Sequence, residues 1–477
     1  MILLINPPWF ILEDAKLGQN STPLGLCYLA AAIAKRNYEV AILNAERTDE
    51  RYYYEWTKEL DAFESFRSRH IQEHPVWEKL ADKIKSLKPK IVGITIRTPA
   101  VESALYLCEL IKNIDNEVSI IVGGPHPTAL PEEMLASEHI DFVVRGEGED
   151  TFVELIEKLR QGHDQTAVRG LSYRLDGNIV HNPDRPLMNM SDVPHPAKNL
   201  MIDLDKHDQD DFNPIMASRG CPYRCIFCAS ANVWSRNVRF REPIDVVNEI
   251  AQTHERFDTR FFSFDDDTFT LKKERCMEIC RLIVQFGLNK IPGFRWTSNT
   301  RPELLSPDLL DCMKSAGCAA VAIGIESGNN GILKRLRKSY TTEQIRAAAA
   351  MIKQTGMVLA GQFIIGFPFE TESEMWDTVK LAEDIEAESV KLSIATPFPK
   401  TELYDLAKEK GYFPDGINWS DVMLHNDGIL FNKIYSEDQK NRIMEDIISE
   451  FRRIQEKTIK DKISRIEQYE SLYKLEN

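Results

Sequence analysis

The sequence predicts an α/β protein with a doubly wound parallel sheet of the Rossmann or flavodoxin type in its N-terminal part and an open barrel in its C-terminal part. Short apolar runs alternate with amphipathic stretches from residue 1 to about 161, and a second alternation starts at residue 212. The chain has 477 residues, which is too long for one hydrophobic core. We predict a sheet domain at 1–165, a linker with a hairpin at 166–211, a barrel at 212–405 and a mostly helical region at 406–477.

The first alternation is typical of strands that are buried on both faces and connected by helices. Ligands of such sheets bind beyond the carboxyl ends of the strands. The predicted strands are Met1–Asn6, Glu39–Leu43, Ile91–Ile96, Ser119–Val122 and Asp141–Val144, and the predicted helices are Leu24–Arg36, Trp77–Leu87, Val101–Lys112 and Thr151–Leu159.

Glycine and proline are concentrated where these strands end. Glycine lets backbone amides approach a ligand closely, and the helix near Thr151 offers free N–H groups at the same edge. The alternative is that these residues only turn the chain. Neither GxGxxG after the first strand nor GxxxxGK[ST] is present, so a conventional dinucleotide site is not predicted. The strand-end segments are Asn6-Pro7-Pro8, Thr95–Thr98, Gly123–Thr128 and Arg145–Glu149.

Two further segments complete this half. Residues 49–75 are rich in aromatic side chains and predict a helical insertion that caps the ligand edge or packs on its neighbours. Asp176-Gly177 lies between two β-prone runs, Leu171–Arg174 and Asn178–Val180, which is typical of a hairpin. The charged run that continues to Asp211 is interpreted as a linker.

The second alternation contains six strand–helix units, as in an open (β/α)6 barrel related to the TIM barrel, with its chemistry at the strand carboxyl ends. Thr371–Glu374 has the pattern of a capping box. The predicted strands are Pro214–Ala217, Arg260–Phe264, Gly293–Ser298, Ala319–Ile325, Val358–Ile365 and Ser389–Ala395, and the helices are Ile244–Arg256, Lys273–Phe286, Asp308–Ser315, Thr342–Lys353 and Ser373–Ile385.

Three cysteines, Cys221, Cys225 and Cys228, follow the first barrel strand with the spacing CxxxCxxC. Three thiolates on one loop can hold three corners of a [4Fe–4S] cluster and leave one iron open to a small molecule. Zinc is the alternative, but structural zinc takes four ligands and no second cysteine pair follows at suitable spacing. The other six cysteines lie in apolar stretches and are interpreted as small buried hydrophobes.

Polar residues follow the other barrel strands. A ligand with an amino acid portion on the open iron needs an anion for its ammonium group and a cation for its carboxylate. Asp265 and Asp266, Arg301 and Glu326 are candidates for these roles. The alternative is that acidic residues after strands cap the next helix.

Composition limits the function classes. The chain is 43% hydrophobic and 28% charged with a net charge of −15, which disfavours a nucleic-acid substrate. No apolar run has the length of a membrane span, and the N-terminus lacks the features of a signal peptide. Nine cysteines, an odd number, fit the reducing cytoplasm better than a disulfide framework.

Together these motifs resemble the radical S-adenosylmethionine superfamily, and the N-terminal half is similar to the cobalamin-binding domain fused to its methyltransferase branch. The resemblance lies in the cysteine loop, Gly324-Ile325-Glu326-Ser327-Gly328, Gly366-Phe367-Pro368, Pro23–Ala30 and the strand-end segments of the first sheet. It implies a [4Fe–4S] cluster, cleavage of S-adenosylmethionine to a 5′-deoxyadenosyl radical, and cobalamin as methyl carrier.

The resemblance also implies the cofactor sites, although it names no catalytic residue. Cys221, Cys225 and Cys228 are the expected cluster ligands. The expected S-adenosylmethionine site comprises Phe227, Asp265, Asp266, Asn299, Arg301, Glu326, Ser327, Gly366 and Pro397. The expected cobalamin site comprises Asn6, Pro7, Pro8, Leu24, Gly25, Thr95, Arg97, Thr98, Gly123, Gly124, His126, Gly146, Glu147 and Gly148.

Two departures from the family pattern are notable. The DxHxxG motif that supplies a lower cobalt ligand is missing, and His126 lies in a different loop, so cobalt is expected without a lower histidine and with Thr95–Thr98 lining that face. Lys400 stands where relatives often have glycine. In the tail, Trp419, His425 and Phe431 precede a charged helix, Asp438–Lys462, which is interpreted as a solvated face.

The resemblance implies a methyltransferase acting on an unactivated carbon or on phosphorus of a small molecule. The alternatives are a radical enzyme that rearranges, cyclises or oxidises its substrate, and a cofactor-binding or redox-sensing protein without turnover. An external electron donor such as flavodoxin or ferredoxin is the expected partner, with neither nucleic acid nor a membrane span. The sequence does not name the substrate.

Overall fold

A computed structural model describes residues 1–8, 22–46, 75–162, 165–413, 417, 419 and 435–463. The aromatic-rich insertion predicted at 49–75 lies almost entirely outside the described residues, as do His425 and Phe431. The first sheet has the order β2-β1-β3-β4-β5-β6-β7. Its strands are β1 (Ile2–Asn6), β2 (Val40–Asn44), β3 (Ile91–Thr95), β4 (Ser119–Gly123), β5 (Phe142–Val144), β6 (Leu171–Leu175) and β7 (Asn178–His181).

Strands β1 to β5 are parallel, and helices cover both faces of the sheet. One face packs in a core with Leu3, Ile94 and Leu107, and the other packs in a second core with Leu4, Ile33 and Ile156. The predicted doubly wound sheet is therefore confirmed. The helices are α1 (Leu24–Ala34), α2 (Val76–Leu87), α3 (Val101–Ile114), α4 (Pro125–Ala129), α5 (Pro131–Leu135) and α6 (Glu149–Gln161).

The hairpin β6–β7 belongs to this sheet and not to the linker in which the sequence placed it. Strand β6 pairs antiparallel with β5, with Phe142 opposite Tyr173 and Val144 opposite Leu171. The turn residues predicted the hairpin correctly. Its pairing with β5 was not predicted, because β5 has only three residues and its sequence pattern is weak. At the opposite edge, Met201 bridges to Ile42 of β2, so part of the predicted linker also follows the sheet.

The second sheet is fully parallel in the order β15-β14-β13-β12-β11-β8, as predicted for an open six-stranded barrel. A two-stranded antiparallel pair, β9 with β10, stands beside it. The strands are β8 (Pro214–Ile215), β9 (Ser218–Arg219), β10 (Arg239–Phe240), β11 (Phe261–Phe264), β12 (Arg295–Thr300), β13 (Cys318–Glu326), β14 (Val358–Ile365) and β15 (Ser389–Ile394).

Helices cover the outside of the barrel. The predicted capping box is present, with reciprocal bonds between Thr371 and Glu374. The short helices α4, α5, α7 and α11 were not predicted, because each has only five or six residues and is too short to show a helical period. The helices are α7 (Ser230–Trp234), α8 (Pro243–Phe257), α9 (Lys273–Gln285), α10 (Pro307–Ser315), α11 (Asn330–Arg335), α12 (Thr342–Gln354), α13 (Glu372–Asp384), α14 (Glu402–Glu409) and α15 (Glu437–Ile463).

The charged C-terminal helix α15 is a core element, which corrects its interpretation as a solvated face. It packs along α13. Its apolar residues are buried in the barrel core, and the Phe451 ring lies 5.2 Å from the Phe363 ring of β14, centroid to centroid. The sequence analysis did not detect this contact, because the apolar stripe of the helix is narrow and most of its other residues are Lys, Glu or other polar residues. The buried stripe comprises Ile443, Met444, Ile447, Ile448, Phe451 and Ile454.

Shortening one side chain of this stripe tests its burial. Ile447 is completely buried, so we expect Ile447→Val to lower the free energy of unfolding by about 1 kcal/mol. Glu445→Gln at an exposed position of the same helix is the control and is expected to change it by less than about 0.5 kcal/mol. Urea denaturation followed by circular dichroism measures both. Equal stability of Ile447→Val and the wild type would contradict the buried position of α15.

Among the helices of the described residues, none has both the length and the apolar character needed to cross a lipid bilayer.

Candidate functional site

The cysteine loop starts directly after β9. Gly220 has φ +98°, and a Cβ atom at this position would lie 2.8 Å from the Asn237 carbonyl oxygen, so the turn requires glycine. Cys221 and Cys225 are partly buried, and Cys228 is exposed. The Cys228 amide donates to the Cys225 carbonyl at 3.2 Å. The three predicted thiols therefore share one tight turn.

Two polar side chains approach the thiols from neighbouring strand ends. The Thr268 hydroxyl lies 4.0 Å from the Cys221 Sγ, and the Arg301 Nη1 lies 3.9 Å from the Cys225 Sγ. Burial raises the pKa of the Cys221 thiol, so metal binding has to displace a proton there. Within the described residues, no group of three or more His, Cys, Asp or Glu side chains converges on a single metal ion. Three thiols on one turn are the donor set that an iron–sulfur cluster with one open iron takes.

Arg301, which the sequence analysis predicts to bind a carboxylate, contacts the cysteine loop. Its guanidinium lies 3.5 Å from the centroid of the Tyr223 ring, within the loop. Its Nε donates to Glu303 at 2.8 Å, and its Nη2 donates to Ser339 at 2.7 Å. All three guanidinium nitrogens thus have partners inside the chain, which no local sequence signal indicated.

Glu326 forms an ion pair with Lys338, a residue that the sequence analysis did not identify. Its backbone lies in the left-handed region at φ +64°, where a bulge interrupts the register between β13 and β14. The Lys338 Nζ donates to its carboxylate at 2.7 Å, and both side chains are buried. The same ammonium lies 5.2 Å from the centroid of the Phe227 ring. Lys338 follows several exposed basic residues, so nothing in its sequence context marked it as buried.

Asp265 and Asp266 differ in their roles. Asp266 is buried and accepts hydrogen bonds from the Ala217 amide at 2.9 Å and from the Ser218 hydroxyl. Burial raises its pKa to about 6. It therefore ties β11 to the segment that leads into the cysteine loop. Asp265 accepts from the Ser263 hydroxyl at 2.8 Å.

The remaining residues of the predicted S-adenosylmethionine site lie at the carboxyl ends of β12 to β15. The Asn299 side chain accepts from Gln362 at 3.1 Å. Ser327 is buried, with its hydroxyl 3.4 Å from that of Thr378. Pro397 is buried after β15. The structure thus brings these residues to the edge of the barrel that carries the cysteine loop.

Glu370 lies beneath the turn at the end of β14. Its carboxylate accepts from the amides of Gly366 at 2.8 Å and Phe367 at 3.2 Å. Gly366 has φ +81°, and the Phe367 ring lies 5.9 Å from that of Phe227 in the cysteine loop. Burial raises the pKa of Glu370 to about 8. The carboxyl group therefore keeps its proton at neutral pH.

This shift predicts a pH effect on stability. Because the folded pKa of Glu370 is raised above its unfolded value, the folded protein binds the extra proton. The free energy of unfolding is expected to fall as pH rises from about 4.5 to about 8. Glu370→Gln keeps the acceptor and removes the titration, so its stability should decline less over this range. Urea denaturation at several pH values measures the difference, and Glu109→Gln, at an exposed position of α3, is the control. Parallel pH profiles of Glu370→Gln and wild type would contradict the prediction.

The predicted cobalamin edge of the first sheet carries a polar cluster at the ends of β1, β2 and β3. The Asn6 amide donates to Asn44 at 2.9 Å. Glu46 is buried and accepts from Arg97, and burial raises its pKa. Pro7 and Pro8 are buried next to Asn6. The sequence analysis did not identify Asn44 or Glu46.

The glycine loops of this edge allow close approach of the backbone. Gly124 has φ +102°, and a Cβ there would lie 3.0 Å from the Thr95 hydroxyl and 3.1 Å from the Ile96 amide nitrogen. Gly146 has φ +72°, and its amide donates to Thr128 at 3.0 Å. Gly25 is exposed in the first turn of α1, next to buried Leu24, and Gly123 and Gly148 end β4 and precede α6. The glycine amides of this edge and the Arg97 side chain, which is 45% exposed, are hydrogen-bond donors that could bind the amide groups of a corrin.

His126 is buried at this edge, and both of its ring nitrogens lie near polar groups of the chain. Its Nδ1 lies 3.4 Å from the Thr98 hydroxyl and its Nε2 lies 3.4 Å from the Glu133 carboxylate. The Trp419 ring contacts it edge-on at 5.2 Å and donates to Glu133 at 2.6 Å. The C-terminal region therefore reaches back to the first sheet, which no sequence pattern indicated.

Glu147, which is predicted at the cobalamin site, joins the first sheet to the β9–β10 pair of the barrel domain. It accepts from Arg219 Nη1 at 2.9 Å, from both terminal nitrogens of Arg239 at 2.8 and 2.9 Å, and from the Met188 amide at 2.8 Å. Arg219 also donates to Glu149 at 2.6 Å. Burial acts to raise the pKa of Glu147, but the hydrogen bonds from Arg239 and Met188 outweigh it and the pKa is lowered. These four side chains, here called the interdomain clamp, fix the Arg145–Glu149 loop to the residue that precedes Gly220-Cys221.

Further contacts bring the carboxyl ends of the two sheets together. Helix α4, which follows Gly123-Gly124, contacts α7, which follows the cysteine loop. Lys400, after β15, donates to the Thr128 carbonyl at 3.5 Å. The predicted cofactor edges of the two domains therefore lie side by side.

Family models and a curated relative identify the family of this chain. A B12-binding domain model matches residues 14–156, and a radical SAM superfamily model matches residues 215–382. An uncharacterized methyltransferase of Pyrococcus horikoshii is 34% identical over 409 residues, covering 85% of this chain and 83% of that protein. The chain belongs to the cobalamin-dependent radical S-adenosylmethionine enzymes, methyltransferase branch, whose cofactors are a [4Fe–4S] cluster, S-adenosylmethionine and cobalamin.

Other relatives carry different activities. An anaerobic magnesium-protoporphyrin IX monomethyl ester cyclase of Rubrivivax gelatinosus is 30% identical over 344 residues, covering 70% of this chain but only 61% of that protein. A cytidylyl-2-hydroxyethylphosphonate methyltransferase of Streptomyces wedmorensis is 26% identical over 454 residues, covering 86% of this chain and 82% of that protein.

A solved structure shares the fold. The radical S-adenosylmethionine methyltransferase TsrM from Kitasatospora setae superimposes with a TM-score of 0.69 at 18% identity, covering 87% of this chain and 77% of that one.

Proposed function

We propose that this enzyme transfers a methyl group to an unactivated carbon, or to phosphorus, of a small-molecule substrate. One observation carries the proposal: the cysteine loop and the glycine-rich edge of the first sheet are joined by the buried interdomain clamp. Placing two reactive centres at a fixed separation is the main task of such a protein. A reducing compartment such as the cytoplasm suits the three free thiols of the loop.

The proposed roles of the residues follow from their contacts. When bound, the cofactors supply a 5′-deoxyadenosyl radical and a transferable methyl group. Cys221, Cys225 and Cys228 hold the cluster, and Arg301 orients their loop through Tyr223 and Cys225. Lys338 forms a buried ion pair with Glu326 and fixes this carboxylate at the S-adenosylmethionine edge. Glu370, protonated at neutral pH, stabilises the turn at Gly366 without adding a negative charge.

At the other edge, Asn6 and Arg97 lie where the corrin would rest. They are held by Asn44 and Glu46. His126 has contacts within the chain, to Thr98, Glu133 and Trp419. We therefore propose that cobalt has no histidine on its lower face.

A cyclase is the second candidate. The Rubrivivax gelatinosus relative bears that name, and it is 30% identical over 344 residues. The same cofactor sites serve both reactions, since a fold does not define one reaction. The two candidates differ in the fate of the methyl group of S-adenosylmethionine.

An isotope-labelled methyl group on S-adenosylmethionine distinguishes the methyltransferase from the cyclase. Anaerobically reconstituted protein with cobalamin and a strong reductant is incubated with S-adenosylmethionine carrying a ¹³C-methyl group, first alone and then with small-molecule extracts of the source cells. We expect labelled methylcobalamin without any substrate and a labelled metabolite when the extract is present. Formation of 5′-deoxyadenosine together with an unlabelled, oxidised or cyclised metabolite would favour the cyclase. Failure to form 5′-deoxyadenosine would overturn both candidates.

A further inference from the structure

Lys400 lies at the junction between the two cofactor edges. It follows Pro399 after β15, and its side chain is exposed. The Asn232 side chain of α7 donates to the Pro399 carbonyl at 3.1 Å, so the backbone before Lys400 is tied to the helix that follows the cysteine loop. The Lys400 Nζ donates to the Thr128 carbonyl of α4 at 3.5 Å. The ammonium group therefore reaches from the barrel domain across to the first sheet domain, and we call the space between the two edges the gap.

The neighbours of Lys400 on both sides of the gap belong to the candidate site. The Thr128 hydroxyl accepts from the amide of Gly146, a residue of the predicted cobalamin site, at 3.0 Å. The Leu403 amide, three residues after Lys400, donates to the Ile226 carbonyl in the cysteine loop at 2.9 Å. A substrate that reacts with groups held at both edges has to be positioned in the gap. Lys400 is therefore placed to contact it.

The backbone of Lys400 has a conformation that glycine adopts more easily. Its φ is +58°, in the left-handed region. A residue with a Cβ atom is strained there, whereas glycine is not. Strained residues of this kind are concentrated at functional sites, where the side chain has a use that offsets the strain. The conformation therefore favours a function for the lysine side chain.

Among the described residues, Lys400 has no carboxylate partner. Its hydrogen bond to the Thr128 carbonyl is longer than a typical N–H···O bond. Lysine has three N–H donors, so others remain for a ligand. The nearest carboxylate along the chain, Glu402, pairs with Arg337 at 2.7 Å. The gap therefore contains a positive charge that an anion can bind.

We propose that Lys400 binds a carboxylate or phosphoryl group of the methyl acceptor, so that the substrate of this enzyme carries a net negative charge at neutral pH. The inference rests on the proposed function, because that function places the acceptor between the two cofactor edges. A hydrogen bond from the ammonium group to an anionic oxygen orients the substrate and selects it over neutral molecules of similar shape.

The alternative partner of this ammonium group is cobalamin, which also carries a phosphoryl group. The residues that are predicted to bind cobalamin lie on the first sheet and its loops, whereas Lys400 belongs to the barrel domain and enters the gap from the opposite side. The position of Lys400 therefore favours the acceptor, and the test below includes the cofactor.

The test compares Lys400→Gly with Lys88→Gly. Lys88 is an exposed lysine with φ +48°, in the turn that leads to the amino end of β3, at the opposite edge of the first sheet. Each variant loses one positive charge and one strained side chain, so neither should have a urea midpoint below that of the wild type. Lys400→Arg keeps the positive charge and is the conservative variant.

The assay uses reconstituted enzyme, ¹³C-methyl S-adenosylmethionine and the small-molecule extract. The extract is first passed over a quaternary ammonium resin at neutral pH, which retains anions. Dilute acid then releases carboxylates, because they become neutral, and salt afterwards releases phosphoryl compounds. Each fraction is supplied at limiting and at saturating concentration. Mass spectrometry measures the converted metabolite, and the absorption spectrum measures the cobalamin content of each variant.

We expect a converted metabolite only from a retained fraction, and the eluent identifies it as a carboxylate or a phosphoryl compound. At limiting concentration, Lys400→Gly should convert it about tenfold more slowly than Lys88→Gly, or slower still. The difference should narrow at saturating concentration, because the substrate KM is raised. Lys400→Arg should recover most of the rate, and all three variants should hold equal amounts of cobalamin.

Conversion of a metabolite from the unretained fraction, or equal rates of Lys400→Gly and Lys88→Gly at limiting concentration, would overturn the proposal. Loss of cobalamin from Lys400→Gly alone would assign the ammonium group to the cofactor and also overturn it. The proposed function fails separately, when the wild type converts a metabolite of any charge without adding the labelled methyl group. No converted metabolite from any fraction with the wild type would overturn both.

Discussion

Cys225→Ala is expected to abolish reductive cleavage of S-adenosylmethionine, with a loss of at least about a thousandfold in rate. Cys225 is the middle cysteine of the loop, and its thiol is the one that Arg301 approaches at 3.9 Å. Two remaining thiols cannot hold three corners of a cluster. The iron and sulfide content of the reconstituted protein should fall together with the formation of 5′-deoxyadenosine.

The control for this variant is Cys108→Ala. Cys108 is completely buried in the first sheet domain, and we expect this variant to keep its iron content and its activity while losing modest stability. A Cys225→Ala protein that still makes 5′-deoxyadenosine at the rate of the Cys108→Ala protein would remove the cluster from the mechanism.

Breaking the interdomain clamp is expected to have the largest effect on stability. Arg219 is 2% exposed, and Arg219→Met leaves Glu149 buried without its partner and Glu147 with one arginine fewer. Removing one member of a buried ion pair typically costs about 3–5 kcal/mol. The midpoint of urea denaturation should therefore fall sharply, and cluster reconstitution should become less efficient because Gly220 and Cys221 follow directly.

Two variants control for this prediction. Arg219→Lys keeps the positive charge but cannot donate to Glu147 and Glu149 with the planar guanidinium geometry. We therefore expect its urea midpoint to lie between those of Arg219→Met and the wild type. Arg36→Met removes an exposed arginine that lies 3.9 Å from Glu157, and it should change stability by less than about 1 kcal/mol. If Arg219→Met and Arg36→Met have the same urea midpoint, the clamp contributes nothing and the interpretation is wrong.

The sequence was sufficient for features that depend on local spacing. Alternating apolar runs place every parallel strand within a few residues of its observed position, because both faces of these strands are buried. The spacing of Cys221, Cys225 and Cys228 predicts a cluster loop, and the structure places all three thiols on one turn.

The sequence was insufficient where a side chain finds its partner in a distant element. Glu147 lies in a loop that resembles cofactor loops, yet its carboxylate binds two arginines of the barrel domain. Lys338 lies among exposed basic residues, yet it pairs with Glu326 inside the barrel. Neither ion pair could be predicted from the neighbouring residues, because the partners are far apart in the sequence and meet only in the folded chain.

The contact between Trp419 and the edge at His126 and Glu133 has a consequence for biosynthesis. Trp419 leaves the ribosome 238 residues after His181, the last residue of β7 (419 minus 181). At ordinary translation speeds this corresponds to about 12–48 s. The first sheet can form early, and during this interval its edge at His126 and Glu133 is open to solvent, before Trp419 covers it.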